Sequence, residues 1–291
     1  FNLDYYSGEN FYSDGDIEKE ILKIVKTQGS YESMENVPFP VLYHLSRVRE
    51  NILNWYPFQE DATCLEIGSG CGAISGLLCE RMKKVVSVEL SKQRADINMA
   101  RHERVPNLEI WVGNLNDMVF GEQFDYIVLN GVFEYAPGFT EGDQPCETFL
   151  KNIKRLLKPE GILLIAIENR FGLKYFAGAP EDHTNGYFDG IAGYPDNHSV
   201  RTFSKGEWER LMEACGFSYH RFYYPYPDYK LPEKIFSDEY LPHENELNVN
   251  HRNFDRNRVR LFDENKVYGE LIRAEMFPEF SNSFLIVAKG V

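Results

Sequence analysis

The chain has 291 residues, which is enough for one large α/β domain with insertions or for two small domains. Its net charge of -14 at pH 7 means that the average surface repels phosphate backbones and anionic membranes, so nucleic acid is a disfavoured partner. No apolar run reaches the roughly 20 residues that a membrane-spanning helix needs, and no signal-peptide pattern is evident, so we expect a cytoplasmic protein.

The cysteines show no disulfide or zinc pattern. Their number is odd, each lies in an apolar stretch, and no C-x-x-C spacing occurs among them. We expect small buried side chains in a reducing compartment. They are Cys64, Cys71, Cys79, Cys146 and Cys215.

The first elements in chain order are two predicted helices. One starts at Asp16, carries an apolar stripe and would end at Gly29, and the other covers residues 41–55. Residues 1–58 are therefore interpreted as a helical lead-in. Its aromatic side chains either form a lid over a ligand or pack on the core, with the two alternatives left open. They are Tyr5, Tyr6, Phe11 and Tyr12.

From residue 63 onwards, short apolar strands alternate with helices. This alternation indicates a parallel sheet built from strand–helix–strand crossovers. The fifth strand is apolar almost throughout, as is typical of a strand buried on both faces. We predict the strands at residues 63–67, 85–89, 108–112, 124–129 and 162–167.

Beyond the fifth strand the periodicity is lost, and residues 169–204 read as a long functional loop inserted in the core. Ser204 and Glu207 then form a capping-box pattern for another helix. A strand over residues 217–224 and a final strand over residues 283–289 follow.

These elements give a division of the chain. We predict a core over residues 59–226 and an insertion or cap over residues 227–282, with the final core strand in residues 283–291.

The most informative motif lies where the first strand gives way to a helix. It reads Glu66-Ile67-Gly68-Ser69-Gly70-Cys71-Gly72 and falls where open α/β sheets bind ligands. Glycines there let the backbone approach a ligand without a Cβ clash. Gly68, Gly70 and Ala73 also satisfy the dinucleotide fingerprint, so the glycines alone leave the cofactor ambiguous.

Two acidic residues at strand ends bear on which cofactor binds. Glu66 ends an otherwise buried strand, which is costly unless the carboxylate meets a cation or a donor. S-adenosylmethionine offers an ammonium group nearby, whereas a pyrophosphate would be repelled. Glu89 ends the second strand and can accept both ribose hydroxyls, which fits either cofactor.

Polar residues also follow the third and fourth strands, in Gly113-Asn114-Leu115-Asn116-Asp117 and Asn130-Gly131-Val132-Phe133-Glu134-Tyr135. With these segments the chain resembles class I S-adenosylmethionine-dependent methyltransferases, whose cofactor site is built from the same succession of strand ends. The resemblance implies a Rossmann-like, doubly wound α/β fold with a mostly parallel seven-stranded sheet and an antiparallel last strand.

The resemblance also implies the cofactor contacts. Glu66, Gly68, Ser69 and Gly70 would line the methionine part, Glu89 and Leu90 the ribose, Asn114 and Leu115 the adenine, and Asn130 and Gly131 the space beneath the methionine.

A narrower resemblance rests on segments outside this core. Residues 168–176, 181–184 and 224–232 look like a bacterial subgroup associated with surface-polysaccharide biosynthesis. Leu45-Ser46, with Arg49-Glu50-Asn51 shortly after, looks like the lead-in of that subgroup. By this resemblance Arg49 is a candidate partner for the methionine carboxylate.

Two residues are candidates for catalysis. Glu134 follows the fourth strand and is either a general base or part of a cap or ion pair. His183 is a candidate base or substrate contact. We expect no metal in Glu181-Asp182-His183, because three ligands adjacent in sequence rarely converge on one ion. Further substrate candidates are Tyr135, Asn169 and Arg170.

The sequence thus predicts an enzyme that transfers a methyl group from S-adenosylmethionine to an oxygen or nitrogen of a small molecule or glycan, with S-adenosylhomocysteine as the product. Two alternatives stay open. One is an NAD-dependent oxidoreductase or epimerase, although no Y-x-x-x-K pair is evident in a suitable helix. The other is a non-catalytic cofactor-binding module.

Overall fold

The computed structural model describes residues 1–8, 15–28, 38–247 and 258–290. Its centre is a sheet whose strands, within those residues, number eight in the order β3-β2-β1-β4-β5-β8-β6-β7. The strands are β1 Thr63–Ile67, β2 Lys84–Glu89, β3 Leu108–Val112, β4 Phe124–Asn130, β5 Leu157–Glu168, β6 His220–Tyr226, β7 Lys234–Ser237 and β8 Ser283–Lys289.

Helices connect the strands. They are α1 Asp16–Gln28, α2 Phe39–Leu45, α3 Ser75–Arg81, α4 Lys92–Arg101, α5 Ala136–Phe139, α6 Pro145–Leu156, α7 Leu173–Phe176, α8 Lys205–Ala214, α9 Glu264–Arg273 and α10 Phe277–Phe280. Three short 3₁₀ helices cover Arg47–Ile52, Leu115–Asp117 and Phe133–Tyr135. None of the helices in the described residues is long and apolar enough to cross a membrane.

The strand directions confirm the mostly parallel sheet with an antiparallel last strand. The first five strands pair in parallel, and β8 lies antiparallel to both β5 and β6. The predicted number of seven strands is wrong because it misses one edge strand, β7, which pairs antiparallel to β6. This strand falls in residues 227–282, where no alternation of apolar and polar residues marks it.

Two apolar cores cover the two faces of the sheet. Alternate residues of each strand point to opposite faces, so Leu65 and Ile67 of β1 face one core, whereas Cys64 faces the other. Helices α6 and α8 close the first core and α3 closes the second. Burial on both faces explains why the central strands read as continuous apolar runs.

The predicted helix over residues 41–55 is broken. Helix α2 ends at Leu45, and Ser46 adopts an extended conformation with φ -68° and ψ 131°. Its hydroxyl accepts a hydrogen bond from the backbone N–H of Val48, which caps the following 3₁₀ helix. The break turns the chain so that Arg49 reaches the centre of the molecule, where it is buried.

Other bounds differ by a few residues. Strand β5 starts at Leu157 rather than 162 because Leu157 pairs with Phe124 ahead of a register shift. Strand β6 covers His220–Tyr226 rather than residues 217–224, since Phe217 closes the end of α8, where its N–H bonds to the carbonyl of Met212.

The N-terminal lead-in packs on the core. Tyr5 stacks on Trp111 with ring centroids 5.9 Å apart, and Tyr6 packs on the small core beside α4. Helix α1 lies against α4, where Glu18 forms an ion pair with Arg94 at 2.7 Å. For Tyr5 and Tyr6 the packing alternative therefore holds over the lid. Phe11, Tyr12 and Gly29 lie outside the described residues.

Candidate active site

A cleft of about 430 Å³ opens at the carboxyl ends of β1, β2 and β4. Strand order reverses here, because β2 and β3 lie on one side of β1 whereas β4 and β5 lie on the other. Such a switch point leaves a crevice above the strand ends. The walls come from the turns after β1 to β4, from residues 39–49, and from two loops that contribute Asp182 and Lys230.

The glycine turn forms the floor of the cleft. Gly68 and Gly70 have positive φ of 70° and 55°, which other residues rarely adopt. The N–H of Gly68 donates to the carbonyl of Val88 at 2.8 Å, tying the turn to β2. A Cβ on Gly68 would lie 2.3 Å from Cγ2 of Val132, so this position has no room for a side chain. Ser69 and Gly70 line the cleft beside it.

Glu89 joins the end of β2 to the glycine turn. Its carboxylate accepts hydrogen bonds from the backbone N–H of Gly70 at 2.7 Å and of Ser91 at 2.9 Å. Burial raises the pKa of Glu89, and the Ser91 and Gly70 hydrogen bonds oppose that rise. Leu90 lines the cleft next to it, so the predicted ribose segment lies at the cavity.

Glu66 has a different position from the one predicted. It is 2% exposed and is absent from the cleft lining. Oε2 accepts hydrogen bonds from the hydroxyls of Ser75 at 2.6 Å and Ser87 at 2.5 Å. Serine hydroxyls beneath the turn therefore satisfy Oε2 of this buried carboxylate, whereas Oε1 has no hydrogen-bond partner among the described residues.

Arg49 lines the opposite wall and is 4% exposed. Its Nη1 donates to the carbonyl of Lys230 at 3.1 Å, and its guanidinium carbon lies 4.1 Å from the ring centroid of Tyr43. The buried Nε has no hydrogen-bond partner among the described residues. A buried donor left in this state fits an anion bound in the cleft.

The turns after β3 and β4 complete the lining of the cavity. Asn114 and Leu115 lie at one end, and Asn130 and Gly131 lie beneath the centre. The side-chain amide atoms of Asn130 are buried without hydrogen bonds to any described residue. Gly131 has φ 71°, and a Cβ there would meet the hydroxyl of Tyr229 at 2.7 Å.

Glu134, Glu168 and His183 meet on the wall next to Asn130. The Nε2 of His183 lies 3.5 Å from Oε1 of Glu134 and 4.0 Å from Oε2 of Glu168. Burial opposes protonation of His183, but the carboxylates of Glu134 and Glu181 beside the ring raise its pKa well above the usual value. The raised pKa disfavours the free-base form of His183.

Two lysines balance part of this acidic charge. Lys230 forms ion pairs with Glu168 at 2.7 Å and with Asp182. Lys174 contacts Asp182 at 2.8 Å and Asp228 at 3.5 Å. The residues of the predicted subgroup segments thus form a network of charges at the wall of the cleft, in which Glu168 and Lys174 are buried.

Of the substrate candidates, only Tyr135 lines the cleft, where its ring meets His183 edge to face at 5.4 Å. Asn169 and Arg170, the other two predicted substrate contacts, do not line the cleft. Asn169 is fully buried and donates to the carbonyls of Glu279 and Ser281, each at 2.8 Å. Arg170 pairs with Glu207 at 2.8 Å, so both residues hold the loop to its neighbours.

Three residues that bring polar or charged groups to the cleft were not predicted as site residues from the sequence, namely Glu168, Tyr229 and Lys230. Glu168 gave the same signal as Glu66 and Glu89, an acid that ends a buried strand. Tyr229 and Lys230 belong to a segment singled out only by the narrower resemblance, and their places in the cleft were not predicted, because that segment lies some 60 residues further along the chain.

Comparisons with known proteins agree with this geometry. A family model described as a methyltransferase domain matches residues 65–165. A protein of Bacillus subtilis (strain 168) named as a methyltransferase, YqeM, is 25% identical over 190 residues, which are 56% of this chain and 76% of that protein. Malonyl-(acyl-carrier protein) O-methyltransferase of Priestia megaterium is 24% identical over 110 residues, which span only 38% of each chain.

Solved structures share the fold. A SAM-dependent methyltransferase from Archaeoglobus fulgidus superposes with a TM-score of 0.51 and 14% identity, covering 86% of this chain and 97% of the other. Phosphoethanolamine N-methyltransferase 1 of Haemonchus contortus gives a TM-score of 0.51 at 14% identity, covering 94% of this chain and 48% of the other.

The match to a methyltransferase domain and the relatives named as methyltransferases support an S-adenosylmethionine-dependent methyltransferase. The chain is an enzyme that uses S-adenosylmethionine. The residues present fit that cofactor, since the glycine turn leaves room for a ligand and Arg49 offers a buried unpartnered donor to it. The NAD-dependent alternative gains no support, because the family model and the relatives reported above are methyltransferases.

Proposed function

We propose that this enzyme methylates an oxygen or nitrogen of a small polar molecule or a glycan and releases S-adenosylhomocysteine. The observation that carries the proposal is the position of Glu134. Its carboxylate is 1% exposed, lines the cleft beside Asn130 and Gly131, and keeps Oε2 without a hydrogen bond to any residue described.

We propose cofactor contacts for the residues that line the cavity. Arg49 would bind the methionine carboxylate, Glu89 the ribose hydroxyls, and Asn114 with Leu115 the adenine. Asn130 and Gly131 would lie beneath the methionine. The bound cofactor supplies a methyl group that its sulfonium makes electrophilic.

The protein then has to orient the acceptor and exclude water. An acceptor O–H or N–H would donate its hydrogen bond to Glu134, which directs the lone pair of the nucleophile towards the methyl group and receives the proton. Through their contact, His183 fixes the rotamer of Glu134. Tyr135 offers its ring as a wall for the acceptor.

Charge and size favour a small acceptor or the end of a glycan. The cleft lining contains the carboxylates of Glu89, Glu134, Glu168 and Asp182 together with the cations Arg49, Arg94 and Lys230, so its charges largely balance. The net charge of -14 on the whole chain adds long-range repulsion of polyanions, which supports a small acceptor rather than nucleic acid. The polysaccharide subgroup is supported by its segments, because Asp182, His183 and Lys230 all reach the cleft.

The test combines ligand binding with turnover. Calorimetry with S-adenosylhomocysteine measures cofactor binding, and transfer of a radiolabelled methyl group is measured on a panel of sugars, amines and phenols. We expect binding and transfer to at least one acceptor. Glu134→Gln should keep binding but lower kcat by about 10²–10⁴-fold. The exposed Glu141→Gln serves as the control.

Two results would contradict the proposal. One is wild-type protein that binds no S-adenosylhomocysteine at millimolar concentration. The other is a Glu134→Gln variant that methylates the best acceptor as fast as wild type.

A further inference from the structure

We propose that Glu134, Glu168 and His183 form a binding site for one divalent metal ion, with Mn²⁺ as the ion that suits the donors best. This goes beyond the proposed function, because transfer of a sulfonium methyl group requires no metal. Two carboxylates and one imidazole make a donor set between those of the hard ions and zinc, which is the range that Mn²⁺ occupies.

Three separate parts of the chain bring these donors together. Glu134 follows β4, Glu168 ends β5, and His183 lies in the loop after α7. One ligand atom from each lies within 4.8 Å of the other two. His183 Nε2 stands 3.5 Å and 4.0 Å from the two carboxylates, separations that leave space for an ion between them rather than good hydrogen bonds.

An unsatisfied oxygen points to the same space. Oε2 of Glu168 is the atom that faces His183, and the residue is 0% exposed. This oxygen has no hydrogen-bond partner in the described part of the chain. Buried carboxylate oxygens without partners are costly, and coordination by a cation would remove that cost.

The second ring nitrogen of His183 contacts a carboxylate, as is usual for a histidine that binds a metal ion. Its Nδ1 lies 2.9 Å from Oε1 of Glu181, which leaves Nε2 directed at the two carboxylates. Glu181 is itself fixed, because it accepts hydrogen bonds from the backbone N–H of His183 and Thr184 and from the hydroxyl of Tyr194. An ion would take the place of the proton on Nε2.

The neighbouring lysines do not occupy the oxygens that would bind the metal ion. Lys230 binds the other oxygen of Glu168, Oε1, at 2.7 Å and also contacts Asp182. Lys174 is paired with Asp182 and Asp228. The two lysines therefore neutralise the back of the network, while the oxygens that face His183 stay free of them.

Such an ion would act on the acceptor. Three protein ligands leave open positions on a divalent ion towards the cleft. An acceptor hydroxyl bound there would lose its proton more easily and would be held in a fixed orientation. The site therefore favours acceptors with a hydroxyl group, above all adjacent hydroxyls as on a sugar.

The test measures metal binding and needs no acceptor, so its failure is separate from failure of the proposed function. Protein stripped with EDTA and dialysed is titrated with Mn²⁺ by calorimetry, and bound Mn²⁺ is counted by electron paramagnetic resonance. We expect one ion per chain. Glu168→Gln and His183→Gln should lower the affinity at least tenfold, and Glu181→Gln by about 10–100-fold.

Each variant is also titrated with S-adenosylhomocysteine to show that the cleft is intact, and Glu141→Gln provides the matched exposed control. If Glu168→Gln fails to fold, the Mn²⁺ affinities of His183→Gln and Glu181→Gln test the proposal. The proposal is overturned if wild type binds no Mn²⁺ in stoichiometric amount at millimolar concentration, or if His183→Gln binds it with unchanged affinity.

Discussion

Arg49 is a buried cation at the proposed cofactor site. One of its nitrogens is bonded to the Lys230 carbonyl, and Nε is left without a partner in the residues described. A carboxylate bound there would add a charge-assisted hydrogen bond, worth about 1.5–3 kcal/mol. The residue was singled out only by resemblance, because nothing in its local sequence shows that the break at Ser46 turns it inward.

We predict that Arg49→Met weakens S-adenosylhomocysteine binding by about 10–100-fold at pH 7.5, as measured by calorimetry, since it removes that bond. Affinity for methylthioadenosine, which lacks the amino acid end, should hardly change. Arg47→Met is the control, because the Arg47 side chain is 82% exposed. Equal losses for both ligands would mean that Arg49 acts on the shape of the cleft rather than on the carboxylate.

Glu66 links stability to pH. Burial is the largest cause that raises its pKa, from 4.5 to about 7, with the Ser75 and Ser87 hydrogen bonds opposing it. The folded state therefore binds this proton more tightly than the unfolded state does. Stability from this group is complete below pH 4.5 and is lost as the pH rises through 7, by about 3 kcal/mol in total.

We predict that Glu66→Gln removes this loss. Urea unfolding at pH 5 and pH 8 should show the variant gaining about 2.5 kcal/mol on wild type between the two pH values. The exposed Glu80→Gln is the matched control. A parallel pH dependence for wild type and Glu66→Gln would show that the buried carboxylate titrates near its ordinary pKa.

At the scale of elements, the cap of α8 holds the loop that borders the cleft. The hydroxyl of Ser204 accepts a hydrogen bond from the N–H of Glu207, and the carboxylate of Glu207 accepts one from the N–H of Ser204. The same carboxylate pairs with Arg170 at 2.8 Å. This capping box was predicted from sequence because it is local, whereas the Arg170 pairing was not, because it joins residues 37 positions apart.

We predict that Ser204→Ala lowers the free energy of unfolding by about 1 kcal/mol, the usual cost of a lost N-cap. Thermal unfolding should then occur about 2–4 °C lower. Ser218→Ala, at an exposed position after the same helix, should leave the melting temperature unchanged. A Ser204→Ala protein as stable as wild type would mean that Glu207 alone holds the helix end.

Locality explains which elements could be predicted. The strands β1 to β4 lie within one residue of their predicted bounds, because a continuous apolar run bounded by turns needs no tertiary information. Strand β7 and helices α9 and α10 were missed, since their apolar residues are few and are interrupted by charges. They gain stability from packing on the completed sheet, for instance through Tyr268 and Phe277.

On the scale of the molecule, the cleft gathers residues from position 39 to position 230. A ligand held there contacts the lead-in, the core and the late segment at once, so binding stabilises the whole fold. The strand ends of the core could be assigned to the site from sequence because parallel strands end at one edge. The contributions of Tyr43, Tyr229 and Lys230 depend on how distant segments fold back over that edge.

We predict that S-adenosylhomocysteine at 100 times its Kd stabilises the protein by about 2.7 kcal/mol. For a chain of this size that corresponds to a rise in Tm of about 5 °C in a thermal-shift experiment. NAD at the same concentration should give no rise, because its pyrophosphate would lie beside the carboxylates of Glu89 and Glu134 that line the cleft. A rise in Tm with NAD but not with S-adenosylhomocysteine would contradict this prediction. The Arg49→Met protein should need a higher concentration of S-adenosylhomocysteine than wild type to reach the same Tm.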